Sequence, residues 1–392
     1  MTDLSSHNLK IILAGICSTM IAIGLGRFIY TPILPNMQSN LILSSTTMGI
    51  ISSYNYFGYL IGSMIPILYK FNNPRNVIIF SSTISVITIF LMGFTTKVEL
   101  FIVLRFLCGV SSAFGFVFTI SLMFNQFQDS YNKSLQLIHF CGIGLGIVIG
   151  TSVIWVISVI GNLWNDQWIV IGIIGIILCI PIIMFTPKNL DVLNSKSIPI
   201  KVKLKANFIT ISFGYFFFGI GYIIFGTFIS AMVKSSFESS FFQYFSWVIV
   251  GLFAIPSVII WDWVAKKISR DLLLFFSCST VTLGISFLFF GNNLFFLLIS
   301  CVLYGLGVPG SVALVLVEGK KRFIGSINVS IAIMTTTFSI GQIFGPYISG
   351  IIIDFENNYY SSILLAMVCM IISSFLMLEP KRFKEVKFDF FK

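Results

Sequence analysis

Apolar residues in this chain come in long runs separated by short polar breaks. Twelve runs stand out, at about 9–33, 45–68, 76–95, 99–124, 134–160, 167–185, 207–232, 242–261, 272–291, 294–317, 323–353 and 360–378. Each can cross about 30 Å of hydrocarbon at about 1.5 Å per residue as a helix. None has the ten-residue alternation of a membrane barrel strand. The first run resembles a signal peptide in position, but it lacks a small-residue cleavage site and eleven further runs follow it, so it reads as a transmembrane helix. The pattern predicts an all-α membrane protein of twelve transmembrane helices.

The polar breaks organise these helices. The longest, from Thr186 to Asn207, is rich in Lys, Ser, Asn and Pro. It divides the chain into residues 1–187, a six-helix bundle; residues 188–206, a cytoplasmic linker; and residues 207–392, a second six-helix bundle with a short cytoplasmic tail. The halves echo each other. Gly24-Leu-Gly-Arg-Phe-Ile-Tyr in the first run matches Gly219-Ile-Gly-Tyr-Ile-Ile-Phe in the seventh, and Ile65-Pro66 matches Ile255-Pro256. Gly142, Gly146 and Gly150 in the fifth run match Gly341, Gly345 and Ser349 in the eleventh. Six spans repeated in parallel is the internal symmetry of transporters whose site lies between the halves near the membrane midplane.

Charge fixes an orientation. Of the 24 lysines and arginines, Lys97 and Lys234 alone fall in breaks opposite the termini, and Arg27 and Arg105 fall inside runs. The rest share the side of the termini, which is therefore expected to be cytoplasmic. Composition agrees: 57% of the residues are hydrophobic, 10% are charged, and the mean hydropathy is +0.99. The net charge of +10 is scattered through loops rather than gathered on a face, which argues against a nucleic-acid partner. The seven cysteines all lie in apolar runs without a C-x-x-C pair, and read as small buried hydrophobes rather than disulfides or metal ligands. No motif calls for a cofactor.

Arg27 is the residue that composition does not explain. It is the only charge between Lys10 and Lys70, flanked by Gly24, Gly26, Pro32 and Pro35. An arginine at membrane depth costs about 2.5–3.5 kcal/mol on insertion scales, and such residues are usually functional. Arg105 is the second buried arginine, sharing a helix face with Gly109 and Ala113. The runs place both arginines toward the outer half, where they could face one cavity. No Asp or Glu lies centrally in any run. An anionic cargo is the simplest partner, since a planar guanidinium grips a carboxylate or phosphate through two parallel hydrogen bonds. Arg27, Tyr30, Asn55, Tyr59, Tyr222 and Gln342 are the candidate substrate contacts. His139, the only histidine inside a run, is a candidate for coupling, with a packed, hydrogen-bonded core histidine as the alternative.

With these residues in view, the chain resembles the major facilitator superfamily, and within it the YbfB/YjiJ-like branch. The resemblance rests on Gly26-Arg27-Phe28-x-Tyr30-Thr31-Pro32-x-Leu34-Pro35, Tyr54-Asn55-Tyr56-x-Gly58-Tyr59-x-x-Gly62, His139-Phe-x-Gly142-x-Gly144-x-Gly146 and Gly341-Gln342-x-x-Gly345-Pro346. It implies the major facilitator fold and alternating access by a rocker switch. It also implies that Arg105, similar to the superfamily's fourth-helix arginine, serves ion coupling or internal hydrogen bonding. Arg27 resembles, by position, a first-helix arginine that touches substrate in related organic-anion exchangers. Asp262, in Trp261-Asp262-Trp263-Val-Ala-Lys266-Lys267, resembles the superfamily's inner-loop signature and is a gating candidate; the counterpart loop at 69–75 has no acid.

The expected function is secondary transport of a small anionic organic solute by a monomer in the lipid bilayer, with a proton or counter-anion as coupling partner. An efflux pump for amphipathic compounds is the alternative within that class. A polytopic enzyme or sensor would need paired carboxylates or metal ligands in its loops, and none is present.

Overall fold

The twelve runs become twelve helices in the computed structural model, which describes residues 6–69, 71, 73–127, 130–161, 163–188, 206–237, 239–291, 293–323 and 327–378. The expected linker between 189 and 205, and the tail from 379 onward, lie outside the described residues. The helices are α1 Ser6–Leu41, α2 Ser45–Leu68, α3 Pro74–Phe94, α4 Val98–Gln126, α5 Leu135–Val159 and α6 Trp164–Phe185. They continue as α7 Ala206–Phe237, α8 Ser240–Val264, α9 Leu272–Phe290, α10 Leu294–Arg322, α11 Ile327–Glu356 and α12 Tyr360–Met377. Among the described residues there is no strand.

Eleven of these are apolar and long enough to cross a membrane. The exception is α2, whose 24 residues suffice in length but include Asn55, three tyrosines and several Ser and Thr. That polarity follows from its position, packed between α4 and α11 rather than against lipid. Large apolar side chains such as Phe80, Ile177, Met184 and Phe375 are exposed on other helices, as hydrocarbon contact requires. The seven cysteines carry no disulfide.

Local chemistry sets several helix starts. Ser44 accepts a hydrogen bond from the Thr47 amide, and Asn73 accepts from the Asn76 amide with Pro74 in the first turn. α1 reaches Leu41, eight residues beyond its expected end, because Pro35 sits inside a helix whose far segment docks on α7 and α8. The turn into α2 closes through Ile42 in the left-handed region, with the Leu43 amide donating to the Gln38 carbonyl.

Packing repeats at an offset of six helices. α1 packs on α5 and α6, as α7 packs on α11 and α12. α2 packs on α4, as α8 packs on α10. α3 packs on α4 and α6, as α9 packs on α10 and α12. The remaining large contacts, α2 with α11 and α5 with α8, exchange under the same offset. Glycines permit the closest crossings: a Cβ at Gly58 or Gly109 would strike backbone of Phe106 or Asn55 between α2 and α4.

Candidate functional site

The candidate site grows from a defect in α1. From Met20 to Phe28 this helix widens into a π-helix, in which pairing runs to the fifth residue rather than the fourth. Pro32 then has no N–H to offer the carbonyls of Arg27 and Phe28, five and four residues before it. Other helices supply the missing donors. Arg105 on α4 donates from Nη1 to the Gly26 carbonyl at 2.8 Å and from Nη2 to the Arg27 carbonyl at 3.4 Å. Asn55 donates to the Gly26 carbonyl at 3.5 Å and to the Arg105 carbonyl at 3.0 Å, and Cys108 Sγ lies 3.4 Å from Gly26 O. Trp247 on α8 donates from Nε1 to the Phe28 carbonyl at 3.1 Å.

The two buried arginines therefore differ in kind. Arg105 has its terminal nitrogens on α1 backbone, and its guanidinium lies 5.0 Å from the Tyr30 ring centre. Arg27 is 5% exposed, and neither Nε nor Nη2 has a hydrogen-bond partner. Those two nitrogens form one edge of the guanidinium, with parallel N–H bonds, the edge that takes a carboxylate bidentately. Its central carbon lies over the rings of Tyr56 and Tyr59 of α2, 4.9 and 4.4 Å from their centres. A cation–π pair of this kind holds the charge but leaves the N–H edge open.

Residues 206–378 supply the facing wall. Tyr59, which lies against Arg27, shares one apolar core with Tyr215, Tyr222 and Phe338. Phe338 stacks parallel to Tyr215 at 4.3 Å and to Tyr222 at 5.4 Å, each at 8°. Gln342 donates from Nε2 to the Tyr222 hydroxyl, and its Oε1 has no partner. Tyr304 donates to the Tyr222 carbonyl at 2.7 Å. A small apolar cavity lies beside this wall, lined in part by Phe28, Ile147, Trp247, Val250, Tyr304 and Val308.

Of the residues singled out in the sequence, Arg27, Tyr59, Tyr222 and Gln342 come together here. Asn55 and Arg105 support the turn that carries Arg27. Tyr30 is occupied elsewhere, donating to the Met48 carbonyl at 3.0 Å. His139 is fully buried near Gly15 and Met123, with Nδ1 2.8 Å from the Gln136 carbonyl, apart from the arginines. Asp262 pairs at 3.1 Å with Lys266, one turn on, in an exposed local pair rather than a bridge between halves. Tyr56, Tyr215, Phe338 and Trp247 were not singled out. The spacings Tyr56–Tyr59 and Tyr215–Tyr222 held a signal, one and two turns on a single face.

The end of the molecule opposite the described termini is tied across the halves. Both carboxylate oxygens of Asp354 accept from the first amides of α2, Ser45 and Thr46, at 2.7 Å. Gln243 donates to the Pro32 carbonyl at 3.0 Å, Lys234 to Asn36 Oδ1 at 3.1 Å, and Asn36 to the Tyr244 hydroxyl at 2.7 Å. Ser53 donates to the Ile343 carbonyl at 2.7 Å, and Thr31 to the Gly226 carbonyl.

A helical membrane protein with a buried, open-edged cation and helix packing that repeats at an offset of six has the features of a solute carrier. The family model described as uncharacterised MFS-type transporter YbfB matches residues 19–378, and the chain belongs to that family. It is accordingly an integral membrane transporter rather than an enzyme. A comparison with curated proteins found no match. Among solved structures, a mutant of the nucleoside transporter NupG superposes with a TM-score of 0.74 at 14% identity, over 94% of this chain and 99% of that one. At that identity the likeness speaks for the fold.

Proposed function

We propose that this transporter moves a small organic anion by alternating access, with Arg27 receiving the acid group. The observation that carries the reading is the unpartnered Nε–Nη2 edge of Arg27, buried at the junction of both halves. A buried cation with no counter-ion costs several kcal/mol, roughly, and an anionic cargo would offset that cost on arrival. The moving bodies are residues 1–187 and 207–392, joined by 188–206; the six-helix offset in packing supports this division. The distribution of Lys and Arg supports cytoplasmic termini in a bacterial inner membrane. The hydrogen bonds that Asp354 accepts and that Gln243 and Lys234 donate then seal the outer side. The cycle runs on a solute gradient coupled to a proton or a counter-anion, in a monomer.

A second reading is a neutral, ring-bearing solute such as a nucleoside. The parallel stack of Tyr215, Phe338 and Tyr222 favours it, alongside the nucleoside transport of NupG. Uptake into proteoliposomes of labelled carboxylates, phosphates, nucleosides and neutral sugars, with and without a pH gradient, separates the two. The anion reading expects a carboxylate or phosphate to accumulate in the parent and not in Arg27→Gln. It fails if neutral solutes alone move, or if Arg27→Gln carries the anion as well as the parent.

A further inference from the structure

We infer that the cargo is a monocarboxylate with a flat ring, and that Tyr215 and Tyr222 form the slot that selects the ring, which Phe338 occupies in this structure. This rests on the anion reading above and narrows it.

The number of acid groups follows from the arginines. Arg27 offers one open edge, whereas both terminal nitrogens of Arg105 are engaged by carbonyls of α1. Lys234, on the same end of α7 that ties to α1, is held by Asn36 and the Pro35 carbonyl. A second carboxylate would find only the single Nε of Arg105 without a partner, too little for a two-point grip, and would enter the buried space at a large desolvation cost. One acid group fits; two do not.

The ring follows from the facing wall. Tyr215 and Tyr222 are seven residues apart on α7, about 10.5 Å along the helix axis. Phe338 reaches in from α11 and lies parallel to both, 4.3 and 5.4 Å from their centres. It thus fills a ring-shaped slot between two phenols that share one apolar core with Tyr59, the ring under Arg27. Phe338 belongs to the helix of Gly341, Gly345 and Pro346, whose glycines pack directly against α7. A shift of α11 during transport withdraws Phe338 and leaves a stacking platform for a planar ligand. Phe338 therefore holds the place of the cargo ring in the sealed state.

The test uses the full chain in proteoliposomes, with labelled benzoate and acetate as cargo, and phthalate and cyclohexanecarboxylate as competitors. The parent is expected to prefer benzoate over acetate by at least tenfold in KM, and phthalate and cyclohexanecarboxylate are expected to compete at least tenfold more weakly than unlabelled benzoate. Tyr215→Leu should erase most of that preference, Tyr215→Phe should keep it, and Phe338→Ala should lower the KM for benzoate without changing that for acetate. The inference is overturned if phthalate competes as well as benzoate, or if the benzoate-to-acetate ratio is the same in Tyr215→Leu as in the parent. If Arg27→Gln also transports both acids normally, the anion reading itself falls; if Arg27→Gln transports neither, the anion reading stands and only the ring is lost.

Discussion

Asp354, near the end of α11, places its two carboxylate oxygens 2.7 Å from the amide nitrogens of Ser45 and Thr46 at the start of α2. The first amides of a helix have no partners within it, and the helix dipole adds to their pull on an anion. The bond joins the two halves at the end the charge distribution assigns to the outside. In the proposed alternating-access cycle it breaks each time that side opens.

Asp354→Ala should therefore shift the protein toward an outward-open form. Loss of a helix cap costs about 1 kcal/mol, roughly a fivefold change in the conformer ratio. Spin labels at Asn40 and Asn358 would report it as growth of a longer-distance population. An unchanged distance distribution in Asp354→Ala would remove the latch from the account.

The two buried arginines predict opposite stability effects. Arg105→Ala leaves the carbonyls of Gly26 and Arg27 without these donors, and should lower stability in detergent by about 1–3 kcal/mol. Arg27→Ala removes a buried charge with an unpaired edge, and should leave the melting temperature equal to or above the parent's. Thermal unfolding of both variants decides this. A large loss of stability in Arg27→Ala would mean that its role is structural.

Two glycines on α2 face different partners. A Cβ at Gly49 would meet the Pro346 backbone on α11, across the halves, whereas one at Gly58 would meet Phe106 on α4, within its own half. Gly49→Ala should express well and wedge the outer side open. Gly58→Ala overpacks a crossing that never opens and should cost about 1–3 kcal/mol in folding. Expression yield and the same spin-label distance distinguish the two; equal behaviour would contradict the division into moving halves.

His139 is fully buried, bonded to the Gln136 carbonyl, with its ring centre 4.4 Å from that of Phe140 at a tilt of 41°. His139→Gln should keep the parent's dependence of uptake on a pH gradient, with at most a loss of stability. Loss of that dependence, with expression intact, would make His139 the coupling residue.

How much of this could be read in the chain differs by element. The helix count follows from run length alone, since hydrocarbon thickness sets a minimum. α2 was legible only as a run, because Asn55 and its tyrosines lower its hydropathy for reasons that lie in α4 and α11. The cost of Arg27 was visible from the sequence, and so was its lack of a central acid. Its aromatic partners Tyr56 and Tyr59 were visible as a spacing without a target. The π-helix was not legible: Gly24, Gly26 and Pro32 allow it, but only the docking of Arg105 and Trp247 on the freed carbonyls makes it stable. For the same reason the arginines looked alike in sequence, although the structure gives one of them to the backbone. Asp262 looked like half of a latch by motif, but its nearest basic group is on its own helical turn.

If the open edge of Arg27 receives the acid group of the cargo, the decisive experiment is initial uptake of a labelled carboxylate by the parent, Arg27→Lys and Arg27→Gln in proteoliposomes, with melting temperatures taken on the same preparations. Uptake should fall at least a hundredfold in Arg27→Gln and be partly retained in Arg27→Lys, with no loss of thermal stability in either. Parent-like uptake in Arg27→Gln would mean that Arg27 does not receive the cargo.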